Sequence, residues 1–338
     1  MLPKHLIMQD IRSCMMDCIR TFFCDKGYRQ VETPCLAPAV IPESSIDIFC
    51  TEYRSFHTSR MLYALPSPEY YMKQLLSHGS GSIFQISRCF RNTEVLTPQH
   101  NPEFTMLEWY TVDADYLHNL AIQAQLLEAL IGNEQLARLI QSYQDHNAHT
   151  GSASSASKTA AKLAPPIESI PLQQAFERWA GIDLEQGLKK ESLPGRRSNE
   201  SLADAFHRIL VDDIEPNLPV DRPVALIDYP AIVPTTGKMK PGTPWVERWE
   251  LYLGGIEIAN CYSEAAPQQL HAYCRSEAHA MQQQQRYGQA DAEYARLCPQ
   301  LPVSSGNALG IDRLLMQLTG ETHIEGVILF PLHATIRP

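Results

Sequence analysis

Residues 247–260 read Glu-Arg-Trp-Glu-Leu-Tyr-Leu-Gly-Gly-Ile-Glu-Ile-Ala-Asn. Two β-prone runs flank Gly254-Gly255, and a glycine pair tolerates the positive φ angles that a two-residue hairpin turn demands. The turn predicts Leu253 opposite Ile256, Tyr252 opposite Glu257 and Glu250 opposite Ala259. Glu250, Tyr252, Glu257 and Ala259 then share one face of the ribbon. Glu250 and Glu257 become diagonal neighbours with backbones about 7–8 Å apart, close enough for both carboxylates to grip one ion. Oxygen ligands without His or Cys favour Mg2+, usually held together with substrate phosphates. A hairpin of this kind needs no crossover helix, which points to an α+β fold with an antiparallel β-sheet flanked by helices.

A second hairpin lies earlier in the chain. Residues 83–90 (IFQISRCF) and 103–112 (EFTMLEWYTV) both read as strands, joined by a polar, proline-containing loop. Alternation puts Phe104, Met106, Glu108 and Tyr110 on one face, with Arg91 beside them at the end of the partner strand. An aromatic ring, a guanidinium and a carboxylate in a row can serve a base, a phosphate and a cationic guest. A third segment, residues 304–316 (SSGNALGIDRLLM), runs from small residues into an amphipathic helix. Arg313 stands near that helix's start, where the dipole disfavours a cation, so an anionic or aromatic ligand explains it better than helix stability does.

Outward from these, Leu6, Ile7, Met8, Ile11, Met15, Ile19, Phe22 and Phe23 recur at helical spacing, predicting a helix over 5–26 that Gly27 stops. A short strand over 28–34 ends at Pro34. Residues 61–65 form another strand, and Ser67-Pro68-Glu69 opens a helix through Leu76 with the serine as cap. A long helix is expected over 115–142. Further helices are expected near 172–180, 200–210 and 267–295, strands near 223–229 and 246–262, and a strand-then-helix over 301–318. Residues 145–166 are rich in alanine and serine and carry too few large apolar side chains to offset the entropy of ordering, so they read as a flexible insertion within one domain spanning 1–338.

Composition bounds the function. The chain has 338 residues, a net charge of −10, 44% hydrophobic and 20% charged residues. That is ordinary for a globular protein and argues against a general nucleic-acid coat. No apolar run approaches the ~18 residues of a membrane span, and no leader pattern is evident, so a cytoplasmic protein without membrane partners is expected. The nine cysteines include no C-x-x-C pair and read as reduced, buried thiols.

In order, these segments resemble the signature motifs of class II aminoacyl-tRNA synthetases of the lysyl branch. Residues 27–34 (GYRQVETP) are similar to motif 1, FRN with HNPEFTMLEWY to motif 2, and GNALGIDRL to motif 3. The stretches SPEYYMK at 67–73 and GIEIAN at 255–260 are also of lysyl type. The resemblance implies that Arg91 binds the ATP α-phosphate and the amino-acid carboxylate, His100 the distal phosphates, and Phe104 with Arg313 the two faces of adenine. It implies Glu250 and Glu257 as Mg2+ ligands and Glu69 as a contact for a substrate amino group. Glu108, Tyr110 and Glu264 would hold the side-chain ammonium, with Asn260 near the carboxylate. Arg91 and Arg313 would be the catalytic charges, and motif 1 would build a homodimer.

The motif 1 strand begins by Tyr28, which leaves no room for the anticodon-binding OB domain of a lysyl-tRNA synthetase. The chain thus resembles the truncated paralogues that form the elongation factor P β-lysine ligase family. That resemblance implies ATP-dependent activation of lysine or (R)-β-lysine and transfer to elongation factor P, with tRNA not expected as acceptor. Ala259 and Ala308 also match that family, and a methyl group from Ala259 on the pocket floor would re-site the substrate amine. The alternatives are a compact lysine–tRNA ligase and a non-catalytic lysine-binding regulatory protein. Against the family pattern, Arg91-Asn92-Thr93 lacks the usual glutamate after Arg-x, with Glu94 one position late, and Cys261-Tyr262-Ser263 replaces a more usual Gly-Phe-x.

Overall fold

A computed structural model describes residues 2–93, 97–149, 162–284 and 290–335. Its frame is an eight-stranded sheet of β1 (Arg29–Gln30), β5 (Ile83–Phe90), β6 (Glu103–Val112), β7 (Glu168–Pro171), β8 (Val224–Pro230), β9 (Trp245–Leu253), β10 (Ile256–Ser263) and β11 (Ser304–Gly310). The spatial order is β1-β5-β6-β11-β10-β9-β8-β7. The six inner strands pair antiparallel, as expected, but both edge pairs, β1 with β5 and β7 with β8, are parallel. Those edge strands are only two and four residues long and are reached through intervening helices and turns, so no hairpin dictates their direction. A small second sheet holds β2 (Leu36–Ala37), β4 (Ser59–Ala64) and β3 (Cys50–Arg54) in that order.

Among the described residues the α-helices are α1 (Leu2–Asp25), α2 (Glu69–Ser77), α3 (Tyr116–Ile131), α4 (Glu134–His149), α5 (Leu172–Ala175), α6 (Leu184–Lys189), α7 (Leu202–Ile209), α8 (Pro267–Gln283), α9 (Ile311–Thr319) and a last turn, α10 (Leu332–Thr335). Gly27, with φ +80, turns the chain out of α1 as its position suggested. The helix expected over 115–142 is two helices. Gly132 caps α3, and Asn133 accepts the backbone N–H of Leu136 to start the next turn. Of the insertion at 145–166, residues 150–161 lie outside the described residues, as does Glu94. All nine cysteines are free thiols, four of them buried. Among the described residues no helix is long and apolar enough to cross a membrane.

The two faces of the central strands have opposite chemistry. Phe84, Leu107, Trp109, Trp249, Leu251, Cys261 and Leu309 point to the side covered by α1, α3, α4 and α9 and form the main core. The intervening residues of the same strands form the opposite face, where the charged groups lie. Arg12 of α1 ties the layers together through that core: it donates to Asp312 (2.5 Å) and the Val327 carbonyl (2.9 Å), while Asp312 also accepts the Thr105 N–H (2.7 Å). This fixes the start of α9 against β6, and with it the base of Arg313 near Phe104.

The hairpin register corrects one expectation. Leu253 pairs with Ile256 and Tyr252 with Glu257, but a bulge follows, after which Leu251 opposes Ala259 and Glu250 opposes Asn260. The extra residue inverts the side-chain alternation beyond it. Ala259 therefore faces the apolar core, 2% exposed among Leu251 and Leu309, and is not on the pocket floor. Asn260 takes its place beside Glu250. The bulge lets two acids and an amide share a face that strict alternation would have divided.

Candidate active site

The charged face is a walled site built from β6, β9, β10 and β11, with α2 and the 40–47 loop over it. A cavity of about 140 Å³ is lined by Ser67, Glu69, Arg91, Glu108, Tyr110 and Tyr262 among others, with Asn260, Gly306 and Ala308 on its floor. Ala308, not Ala259, is thus the alanine whose methyl shapes it. A more open cleft of about 320 Å³ adjoins, lined by Asp47, Arg91, Asn92, Thr93, Thr97 and His100. Arg91 is common to both.

The inner cavity is acidic. Glu108 is 2% exposed, and it accepts from the Tyr110 hydroxyl (2.7 Å) and from Ser67. Burial, reinforced by the nearby charge of Glu69, pushes its carboxyl up to about 8. Ser67 was expected to cap α2. Pro68 holds the N-cap position instead, and the Ser67 hydroxyl accepts the Glu69 N–H (3.1 Å) while giving its proton to Glu108. Glu264 is also buried, with its carboxyl pushed up to about 7 by desolvation. Its Oε1 has no hydrogen-bond partner, and neither does Asn260 Oδ1. Buried acceptors left open in this way cost free energy unless a donor arrives, and an ammonium is the natural donor. As oriented, Asn260 offers an amine an acceptor; it can meet a carboxylate, as the motif resemblance suggested, only with its amide turned over.

Glu69 accepts from Tyr262 (2.9 Å) and forms an ion pair with Lys73 (2.5 Å). Lys73 was missed at the level of sequence. A Glu and Lys four apart on a helix ordinarily read as a surface pair, yet Lys73 is wholly buried and also bridges to Glu264 at 2.7 Å.

Free glutamate carboxyls near 7 and 8 imply a proton count. A guest ammonium pairs with the carboxylate form, so binding at pH 7 expels the proton that Glu108 holds, and affinity rises with pH up to about 8. Calorimetry of lysine binding at pH 7 in buffers of different ionisation enthalpy is expected to show net proton release. Heats independent of buffer would contradict this pairing.

Gly306 is required by close approach. A Cβ there would lie 2.5 Å from Tyr110 Cε1 and 3.0 Å from Glu264 Oε1. Gly306→Ala is expected to cost about 1–3 kcal/mol of stability by overpacking. Displacing the tyrosine that holds Glu108 should also raise the KM for the guest roughly tenfold, the equivalent of about 1.4 kcal/mol. Thermal melts and substrate titrations read both effects.

On the outer side, the Arg91 guanidinium stacks over the Phe104 ring at 5.4 Å. Arg313 was expected opposite Phe104. Its guanidinium instead donates to the carbonyls of Glu257 (2.8 Å) and Gln99 (3.3 Å) and to His100 Nε2 (2.8 Å). Half-buried, it satisfies its donors on the nearest acceptors. Because Arg313 can only donate, His100 Nε2 accepts, which places the ring proton on Nδ1 toward Thr97 Oγ1 at 2.6 Å. Thr93, in the left-handed region at φ +53, donates to Asp47 (2.5 Å) where the usual motif glutamate would begin.

Glu250 and Glu257 do share a face. Glu250 is held by Arg248 (2.6 Å) and by the hydroxyls of Tyr229 (2.5 Å) and Tyr252 (3.1 Å). Burial and the charge of Glu250 push Glu257 up to about 7, although its side chain keeps 40% of its area exposed. Two mutually repelling carboxylates on one face fit a divalent cation bound together with phosphate oxygens. Among the described residues no cluster of three or more His, Cys, Asp or Glu ligands exists that would hold a metal by itself.

Residues 4–334 match the family described as tRNA synthetases class II (D, K and N). The chain belongs to this class II synthetase family. Its antiparallel central strands, carrying FRN on β5 and the following turn, HNPEFTMLEWY into β6, and GNALGIDRL across β11 and α9, are the class II frame. Among its relatives, the elongation factor P--(R)-beta-lysine ligase of Hamiltonella defensa subsp. Acyrthosiphon pisum is 31% identical, over 95% of this chain and 94% of the relative. The protein of that name from Salmonella paratyphi A is 31% identical, over 94% and 93%. The one from Haemophilus influenzae (strain PittGG) is 32% identical, over 92% and 91%.

Proposed function

We propose that this chain activates lysine or (R)-β-lysine with ATP and transfers the aminoacyl group to a lysine side chain of elongation factor P. The observation that carries the reading is the place of Arg91, in the wall between a cavity lined by Glu43, Glu69 and Glu108, with Glu264 tied to Lys73 behind it, and a cleft containing His100. The names of the relatives, and their near full-length match, supply the acceptor.

A diamino acid enters with its ammonium groups toward Glu69, Glu108, Glu264 and the Asn260 oxygen, and its carboxylate toward Arg91. The carboxylate oxygen attacks the α-phosphorus of ATP, and the bond to pyrophosphate breaks. Arg91 and Arg313 would face the spreading negative charge, and the stacking and carbonyl contacts that already hold them let them stabilise it without reorganisation. Phe104 offers its ring to the adenine and His100 an edge to the distal phosphates. Mg2+ on Glu250 and Glu257 would neutralise phosphate charge. In the second step the acceptor amine, as the neutral base, attacks the mixed anhydride; AMP leaves and an amide forms. The segment through Pro34 is assigned to self-association as a homodimer.

Mass spectrometry of elongation factor P after incubation with enzyme, ATP and each lysine isomer tests the reading. A mass gain of one lysyl residue on one acceptor lysine is the expected result. Aminoacylation of tRNA with an unmodified factor would overturn the assigned acceptor.

A further inference from the structure

Lys73 has no part in the chemistry above, yet it is the most deeply enclosed charge in the site. It lies on α2 with 0% of its side chain exposed, 2.5 Å from Glu69 and 2.7 Å from Glu264. It also donates to Thr236 Oγ1 (3.2 Å) and stands 5.2 Å from the Tyr262 ring centre. Burying an ammonium so completely is costly, and it is tolerated only where partners are firmly held. Burial alone would lower its proton affinity, but the Glu264 and Glu69 carboxylates more than offset this and hold it well above its ordinary value. It is therefore a permanent cation.

Three carboxylates meet around Lys73: Glu69 from α2, Glu108 from β6 and Glu264 just past β10. Against one fixed ammonium they leave a net charge of two minus when all are ionised; a fourth acid of the cavity, Glu43, lies toward Arg91, whose guanidinium offsets it. Lysine and β-lysine each bring two ammonium groups. We propose that Lys73 is a built-in counter-ion, a positioning residue that trims the pocket to the charge of a diamino guest and clamps Glu264 so that only Oε1 meets that guest. The match to the guest rests on the proposed function; the counter-ion role does not. The other titratable groups packed around Lys73 are Tyr262 from the sheet, Cys274 from α8 and Cys298 beyond it. Burial raises each of these three, so all stay uncharged near neutrality and the balance lies with the glutamates.

Two variants test this, Lys73→Met and the double variant Lys73→Met with Glu264→Gln. The first removes the positive charge and keeps much of the volume. The second also removes one negative charge while retaining an acceptor oxygen. In ligand-free protein, Lys73→Met removes the charge that lowers Glu264, leaving that buried carboxyl to take up a proton on folding. Its raised folded-state proton affinity favours the native state at low pH and loses that effect as pH rises, so Tm should fall more steeply from pH 5 to 8 than in the parent. The double variant should regain most of the parental slope. If Lys73→Met does not fold well enough to melt, the double variant is compared with Glu264→Gln alone: without the counter-ion for Glu69 the double variant should be the less stable at pH 8, and equal Tm values would overturn the role.

With lysine, the KM in ATP–pyrophosphate exchange should rise roughly tenfold or more for Lys73→Met and recover at least partly in the double variant, with kcat and the KM for ATP changed far less. Independent, additive losses in the double variant would show that Lys73 only fills space, and would overturn the proposal. Absence of lysine-dependent exchange in the parent would overturn the function reading and the guest match with it, while the ligand-free pH slopes still decide the counter-ion role.

Discussion

Arg91→Ala is expected to lower kcat for lysine-dependent ATP–pyrophosphate exchange by roughly 10²–10³-fold, the scale associated with losing one preorganised donor at a developing oxyanion. Arg91 lines both the acid-lined cavity and the phosphate-sized cleft, so its guanidinium is the group placed to touch carboxylate and phosphate together. Its position is fixed in advance by the Phe104 ring on one side and by the turn after β5, where the Arg91 N–H donates to the Pro102 carbonyl at 2.9 Å. Lysine at this position keeps a charge but loses the planar fork and the ring stack, so Arg91→Lys should recover little. A kcat held within a factor of two, with only KM raised, would mean that Arg91 binds ATP and amino acid without favouring the transition state.

The second large effect concerns the guest. An amino acid of lysine's length with a methyl in place of its terminal ammonium should be activated with a kcat/KM lower by ~10⁴-fold or more, because sites built around buried polar groups reject guests that leave them unpaired. Glu108 and Glu264 are the groups that pay, one pushed up to about 8 and the other to about 7 by burial. Glu108→Ala should abolish lysine activation and orphan the hydroxyls of Ser67 and Tyr110 that now donate to it. If Glu108→Ala leaves lysine-dependent exchange intact, the ammonium lies elsewhere and the assignment of this cavity is wrong. Glu108→Gln separates charge from shape: it keeps an acceptor for one of the two hydroxyls, turns an NH2 toward the other, and should lose affinity together with the proton release at pH 7.

Local patterns in the chain foretold the main elements closely. The strands expected at 83–90 and 103–112 occupy Ile83–Phe90 and Glu103–Val112, and the Gly254-Gly255 turn closes the hairpin as read. These features depend on alternation and on glycine's freedom at positive φ, which a residue carries wherever it is placed. The row of Phe104, Met106, Glu108 and Tyr110 followed from the same alternation, and its last three members line the cavity. The family's motifs were equally legible, because their chemistry is concentrated in short runs.

Other features need the folded chain. No local signal announces the bulge between Glu257 and Ala259, because it settles a competition between β9, β10 and β11 over register; it is the reason Ala259 went to the core and Asn260 to the site. The role of Lys73 depends on burial and on Glu264, which approaches from the far end of the sequence. In water a Glu–Lys pair four apart on a helix is nearly neutral to stability, whereas in a dry pocket the same pair sets the charge that a guest meets. Strand identity, turns and motif order are properties of neighbours along the chain. Register past the bulge, the raised carboxyls and the internal counter-ion arise from desolvation and from charges brought together across the sheet, and these have no value until packing has excluded water.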